Sequence, residues 1–183
     1  MSDMMKDIES VLFSKEELEA IVARLGEQVS RDYEGKNLLL VSILKGSIVF
    51  MSELMRCVTL PCEIDFMAVS SYGSSTETKG KVKIIKDLDI PLEGYDVLIV
   101  EDILDSGVTL SNLMELLSTR NPKSIRICTL FDKPERRKAA IKADYAGAKV
   151  PDAFIVGYGL DYAEKYRNLP FVGILKPEVY EGK

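Results

Sequence analysis

An α/β fold, with a mainly parallel twisted sheet flanked by helices, is the class this sequence predicts, and three observations carry it. The segments NLLLVSIL (37–44), DVLIV (96–100) and SIRICTLF (124–131) are apolar runs of strand length, the pattern of strands covered on both faces. Amphipathic stretches of helical period alternate with them, as parallel sheets require. At 183 residues and 46% hydrophobic side chains, the chain suits one compact domain, with room for a small appended lobe.

The elements follow in order. Residues 14–33 read as a helix, because Ser14 and Glu17 have capping-box spacing and Leu18, Ile21, Val22, Leu25 and Val29 recur on one face. The apolar strand 37–44 comes after a turn at Gly35, then KGS, then a helix from SIVFMSELMRCV (47–58). Pro61 opens a strand CEIDFMAVSSY (62–72), followed by a polar Gly/Ser/Thr loop GSSTETKGK (73–81) and a shorter strand VKIIKDL (82–88). PLEGY (91–95) carries turn signals, DVLIV is a buried strand, EDILDSG (101–107) a loop and VTLSNLMELLSTR (108–120) a helix. After SIRICTLF comes a charged stretch, DKPERRKAAIKADYAGAK (132–149), in which Arg136 and Arg137 read as a solvated helix face. AFIVGYGL and FVGIL supply two late strands before a polar tail.

Composition excludes several chemistries. With no histidine there is no Ser-His-Asp or Cys-His system, no His-ligated zinc and no imidazole acid–base catalyst. Proton transfer falls to carboxylates, lysines, tyrosines, thiols or the substrate itself. Cys57, Cys62 and Cys128 are odd in number and lack CxxC spacing, so they read as buried free thiols. The net charge of −5 argues against nucleic-acid or anionic-membrane partners. The N-terminus lacks the pattern of a secretory signal, and no apolar run approaches the ~20 residues that span a bilayer, which together predict a cytoplasmic protein.

The chemistry concentrates in VLIVEDILDSGVTL (97–110). A strand ends near two acids, Glu101 and Asp102, and a short loop leads through Asp105, Ser106 and Gly107 into a helix. Amides from Ser106 to Thr109 at that helix start, with the Ser106 and Thr109 hydroxyls, suit a phosphate monoester. Carboxylates beside an anion site repel the anion unless they bind sugar hydroxyls or hold Mg²⁺ that bridges to the ligand. The bland alternative is an ordinary strand-to-helix loop. Two other motifs fail: Lys45-Gly46-Ser47 has no upstream glycine for a P-loop, and Gly157-Tyr158-Gly159 meets Tyr162 where GxGxxG needs glycine.

VLIVEDILDSGVTL resembles the phosphoribosyl-pyrophosphate (PRPP) motif of type I phosphoribosyltransferases. LKGS (44–47), SSYGSS (70–75), FDKPERR (131–137) and FIVGYGLDYAEKYRNLP (154–170) extend the resemblance, in order and spacing, to the purine-specific members over nearly the whole chain. The resemblance implies one phosphoribosyltransferase domain over 1–183, with a small hood lobe built from the N- and C-terminal segments. It implies Mg²⁺-dependent transfer from PRPP to hypoxanthine or guanine, and a homodimer or homotetramer.

Residue by residue, it implies that Asp105, Ser106, Gly107, Val108 and Thr109 cradle the 5′-phosphate. Glu101 and Asp102 would hold the ribose hydroxyls and, with Asp161, the metal. Lys45 and Gly46, in a loop entered by a cis peptide after Leu44, would meet pyrophosphate with Arg167. Lys133 would donate to the purine 6-oxo group, Phe154 would stack on the base, and Ile155 and Asp161 would lie at its edge. Ser71 and Tyr72 would belong to a lid, and Asp105 would take a proton from the purine ring. Val108 and Ser47 depart from relatives that carry a polar or basic residue and a glycine there. Two alternatives stand beside this reading: transfer to xanthine or a pyrimidine, and a PRPP-sensing regulator that binds nucleic acid, which the acidic charge and the length disfavour.

Overall fold

The structure, a computed structural model, describes residues 2–71 and 82–181. The elements are α1 (Ser2–Met5), β1 (Ile8–Phe13), α2 (Lys15–Asp32), β2 (Leu38–Leu44), α3 (Ile48–Cys57), β3 (Cys62–Ser71), β4 (Val82–Lys86), β5 (Asp96–Leu104), α4 (Val108–Ser118), β6 (Ser124–Asp132), β7 (Tyr145–Lys149), β8 (Ile155–Val156), β9 (Val172–Leu175) and α5 (Pro177–Tyr180). A six-stranded sheet runs β4-β3-β2-β5-β6-β7, and a separate three-stranded sheet runs β1-β9-β8. The pairs β2–β3, β2–β5, β5–β6 and β6–β7 are parallel, and only the edge strand β4 is antiparallel in the large sheet. The fold class is therefore the one the sequence predicts.

The continuous apolar runs are explained by the two layers they feed. Successive strand residues point to opposite faces. Leu38 and Leu40 of β2, with Leu98 and Val100 of β5, pack beneath Leu18, Val22 and Leu25 of α2 and Phe50 and Leu54 of α3. Leu39 and Val41, with Val97 and Ile99, face Leu110, Leu113 and Leu117 of α4 on the other side. The three-stranded sheet has its own core of Ile8, Val156, Leu169 and Leu175.

Helix α2 starts where the capping box places it. Ser14 Oγ accepts from the Glu17 N–H at 3.2 Å, and Glu17 Oε2 accepts from the Ser14 N–H at 2.8 Å. The expected result for Ser14→Ala is a loss of ~1 kcal/mol, since the Glu17 amide loses its side-chain partner. A chemical-denaturation midpoint lowered with unchanged slope checks it.

Several sequence readings are corrected. β5 runs on through Leu104, because Glu101, Ile103 and Leu104 continue in register with Thr129, Phe131 and Asp132 of β6. Glu101 and Asp102 are thus strand residues and not part of a loop. The charged stretch 132–149 is not uniform: it holds a 3₁₀ turn at Pro134–Arg136 and the strand β7. β7 has little apolar signal because it must be thin. A side chain at Gly147 would strike the Leu130 carbonyl and Ile21 of α2. Strand β1, in a segment with no strand signal of its own, forms because β9 pairs with it antiparallel. The three cysteines are free, as read, but Cys57 and Cys62 are only half-buried.

Candidate active site

The topology sets the location. From β2 the chain moves outward to β3, and from β5 it moves the opposite way through β6 to β7, so the order reverses between β2 and β5. Ligands in such sheets bind beyond the strand carboxyl ends at that switch point. The two loops that leave there are Lys45–Ser47 and Asp105–Gly107.

The Leu44–Lys45 peptide is cis. Gly46 packs so closely on the Asp102 carboxylate that a Cβ there would overlap Oδ2. Gly159, at φ +100, is held against the Gly46 carbonyl in the same way, which ties the loop after β8 to the loop after β2. Ser47 is buried and turns inward, donating to the Ile43 carbonyl at 2.5 Å and lying 2.8 Å from Ser42 Oγ. Its departure from glycine therefore faces the core.

Gly107 is the left-handed N-cap of α4, at φ +74, and Ser106 Oγ lies 3.5 Å from the Val108 N–H. The first-turn amides of an α-helix have no partners within the helix. Here they open into a small cavity of about 170 Å³, lined by Glu101, Asp105, Ser106, Gly107 and Thr109 among others. Val108 is the first helical residue and is not among the residues that line this cavity.

A larger cavity of about 400 Å³ adjoins it, lined by Ile103, Asp105, Lys133, Phe154, Ile155, Asp161 and Tyr180 with others. Lys133 is buried, 4% exposed, and its Nζ donates to the Ala153 carbonyl at 2.8 Å and pairs with Asp152 at 3.1 Å. Three N–H donors on an ammonium leave one for a ligand. Phe154 is 38% exposed and is no core residue; its ring stacks on Tyr180 at 5.0 Å. Asp105 Oδ1 is buried without a hydrogen-bond partner, while Oδ2 lies 3.8 Å from Arg136.

Arg167 reaches the Gly159 carbonyl at 2.8 Å, Asp161 at 2.8 Å and Glu164 at 3.2 Å. Glu164 also takes Lys45 at 3.2 Å, so one carboxylate bridges two cations from different loops.

A family model described as "Phosphoribosyl transferase domain" matches residues 11–163. The chain belongs to the phosphoribosyltransferase family. It is 58% identical over 179 residues to the hypoxanthine-guanine phosphoribosyltransferase of Bacillus subtilis (strain 168), covering 97% of this chain and 99% of that one. The Listeria innocua bifunctional protein TilS/HprT is 54% identical over 177 residues, which amount to 27% of its length. A crystal structure of a hypoxanthine phosphoribosyltransferase from Staphylococcus aureus superposes with a TM-score of 0.94 at 54% identity, covering 97% of this chain and 96% of that one.

In this phosphoribosyltransferase, Glu101 and Asp102 sit on a strand and separate. Glu101 lines the cavity at the α4 start, whereas Asp102 lies against Gly46. Burial raises both carboxyls. Glu101 stands well above its usual range, with the Asp102 charge adding to the effect. Asp102 is pushed up to about 6 by burial, against the opposing pull of the Ile103 amide and the Arg167 charge. A nearby divalent cation would relieve that cost, and hard oxygen donors suit Mg²⁺. Among the described residues no three His, Cys, Asp or Glu side chains come together as a metal cage. Such an ion would therefore take one or two carboxylates here and complete its shell from substrate oxygens, the usual habit of Mg²⁺.

The sign of the linkage follows from the raised value. Between about pH 4 and 6 the folded chain keeps a proton on Asp102 that the unfolded chain has released, so stability falls as pH rises through that window. The expected result for Asp102→Asn is a higher melting temperature at pH 7.5 without divalent cation, with the gain shrinking toward pH 5. Melts at the two pH values check it.

Four residues near these cavities escape sequence reasoning. Arg136 and Asp152 connect Asp105 to Lys133 through contacts of 3.8, 3.4 and 3.1 Å. Tyr180 comes from the tail, and Glu164 sits at φ +64 in a tight turn. The FDKPERR motif contains Arg136 and the FIVGYGLDYAEKYRNLP motif contains Glu164, which are the signals available. Ser71 ends β3, and Tyr72 lies outside the described residues.

Proposed function

We propose that the protein salvages purines by transferring the 5-phosphoribosyl group from PRPP to hypoxanthine or guanine, releasing pyrophosphate and forming IMP or GMP. One observation carries this reading: Asp105 and Ile103 line both the cavity at the α4 N-terminus and the larger cavity that holds Lys133. A phosphate cradle and a planar-base pocket that share a carboxylate suit a reaction joining a ribose phosphate to a base between them.

In this reading Ser106, Gly107, Val108 and Thr109 bind the 5′-phosphate through amides and hydroxyls. Lys133 donates to the 6-oxo group, Phe154 stacks on the ring, and Ile155 and Asp161 border its edge. The orphaned Asp105 Oδ1 accepts a ring proton as N9 attacks the ribose C1. Lys45, Gly46 and Arg167 receive the departing pyrophosphate, which replaces Glu164 as the partner of the two cations. Mg²⁺, held by Glu101, Asp102 or Asp161, would neutralise charge on the leaving pyrophosphate.

The reading extends to one domain over 1–183 whose three-stranded sheet serves as the hood, in a cytoplasmic homodimer or homotetramer with no membrane or nucleic-acid partner. Among the described residues no helix is long and apolar enough to cross a membrane.

The test is pyrophosphate release from PRPP with hypoxanthine, guanine, xanthine, adenine and uracil supplied separately, with and without Mg²⁺. Release with hypoxanthine and guanine only when Mg²⁺ is present is the expected result. Activity with uracil or adenine alone would overturn the assignment of substrate. Sedimentation velocity checks the assembly.

A further inference from the structure

Arg137 differs most from its sequence reading. In place of a solvated helix face, its side chain is 17% exposed and paired with Asp132, the last residue of β6. Its Nη1 is buried without a partner. A Cβ on Gly107 would stand 3.2 Å from Arg137 Cδ and 3.5 Å from Nη1, so the guanidinium end of the side chain lies directly under the glycine that turns the chain into α4. Ile141 closes the same spot, 2.5 Å from that Cβ position.

The backbone around Arg137 is laced to the same loop. The Lys138 and Ala139 amides donate to the Ser106 carbonyl at 2.9 and 3.1 Å, and the Lys133 amide donates to the Leu104 carbonyl at 3.0 Å. Segment 133–139 thus carries Lys133 at one end and supports Ser106 and Gly107 at the other. The Asp132–Arg137 pair spans it. Arg137 borders neither the cavity at the α4 start nor the one around Lys133; it lines a third cavity, behind the loop, with Pro134 and Ile141.

We propose that Arg137 is a positioning residue: clamped by Asp132, it props Gly107 in its left-handed conformation and sets the spacing between the phosphate cradle and Lys133. This rests on the function proposed above. Arginine is required because a planar head must both pair with a carboxylate and fill the space beneath a backbone turn, which a compact ammonium does not do. A cradle displaced by a fraction of an ångström loses phosphate contacts without losing the fold.

The experiment compares Arg137→Met, Arg137→Lys and Arg137→Met/Asp132→Asn by steady-state kinetics, thermal melts and calorimetric titration with ribose 5-phosphate. Arg137→Met should raise KM for PRPP roughly 10- to 100-fold with a much smaller change in kcat, the size expected from misplacing a binding group. Arg137→Lys should recover only part of it. The double variant, which no longer leaves a half-buried carboxylate without its cation, should regain melting temperature but not PRPP affinity. If PRPP KM stays within about twofold in Arg137→Met, or returns together with the melting temperature in the double variant, the positioning role is overturned and the residue is only structural. The titration separates the two levels. A parent protein that fails to bind ribose 5-phosphate sinks the proposed function and this role with it, whereas equal binding by parent and Arg137→Met sinks the role alone.

Discussion

Asp105→Asn lowers kcat by about 10²- to 10⁴-fold, the range a carboxylate general base supplies, and leaves KM for PRPP within about threefold. The two side chains have the same shape, so the loop at Ser106 and Gly107 keeps its form and the phosphate keeps its amides. What is lost is an acceptor able to take a proton. Asp105 is suited to that task by position, since it lines both cavities and its Oδ1 is buried with nothing bonded to it. A buried acceptor without a partner costs ~1–3 kcal/mol unless a ligand satisfies it, and a ring N–H does so. The chain has no histidine to take over. Steady-state kinetics at saturating PRPP and hypoxanthine check the prediction, and unchanged turnover removes Asp105 from the chemistry.

Lys133→Met lowers kcat/KM for hypoxanthine roughly 10- to 200-fold and narrows its advantage over adenine. An ammonium offers only donors, so it satisfies an oxo group and leaves an amino group facing another donor. Methionine keeps most of the length and apolar bulk of the lysine stem. It also releases the Ala153 carbonyl and Asp152, both now bonded to Lys133, so some stability is lost. The ratio of hypoxanthine to adenine efficiencies is independent of the fraction folded and is the quantity to measure. A ratio equal to that of the parent assigns base choice elsewhere.

How much of this was legible in the sequence depends on the range of the interaction. Helix α2 was legible because its capping box and apolar stripe are local. The strands β2, β5 and β6 were legible because burial on both faces writes itself as an unbroken apolar run. Strand β7 was not, since its sequence answers to the helix above it: Gly147 carries no side chain because one would strike Ile21 of α2 and the Leu130 carbonyl. Strand β1 was not, because its partner β9 lies at the other end of the chain.

At the site the same division holds. The run from Glu101 to Thr109 is contiguous, so its residue types declare an anion-binding strand-to-helix turn. Yet the sequence presents Glu101 and Asp102 as neighbours, and the pleat sends them to different surroundings, one toward the α4 start and one against Gly46. Arg136 and Arg137 read alike as exposed charges, but one joins Asp105 to Asp152 and the other supports Gly107 from behind.

By itself the sequence determined the fold class, the family resemblance and the absence of imidazole chemistry, all of which depend on local pattern or on composition. The tertiary structure alone decided which carboxylate faces which cavity, that Asp105 stands in both, and that Glu164 joins Lys45 to Arg167. Those contacts join residues brought together by the crossover between β2 and β5 and the turn after β8, and no local periodicity encodes a meeting of loops so far apart along the chain.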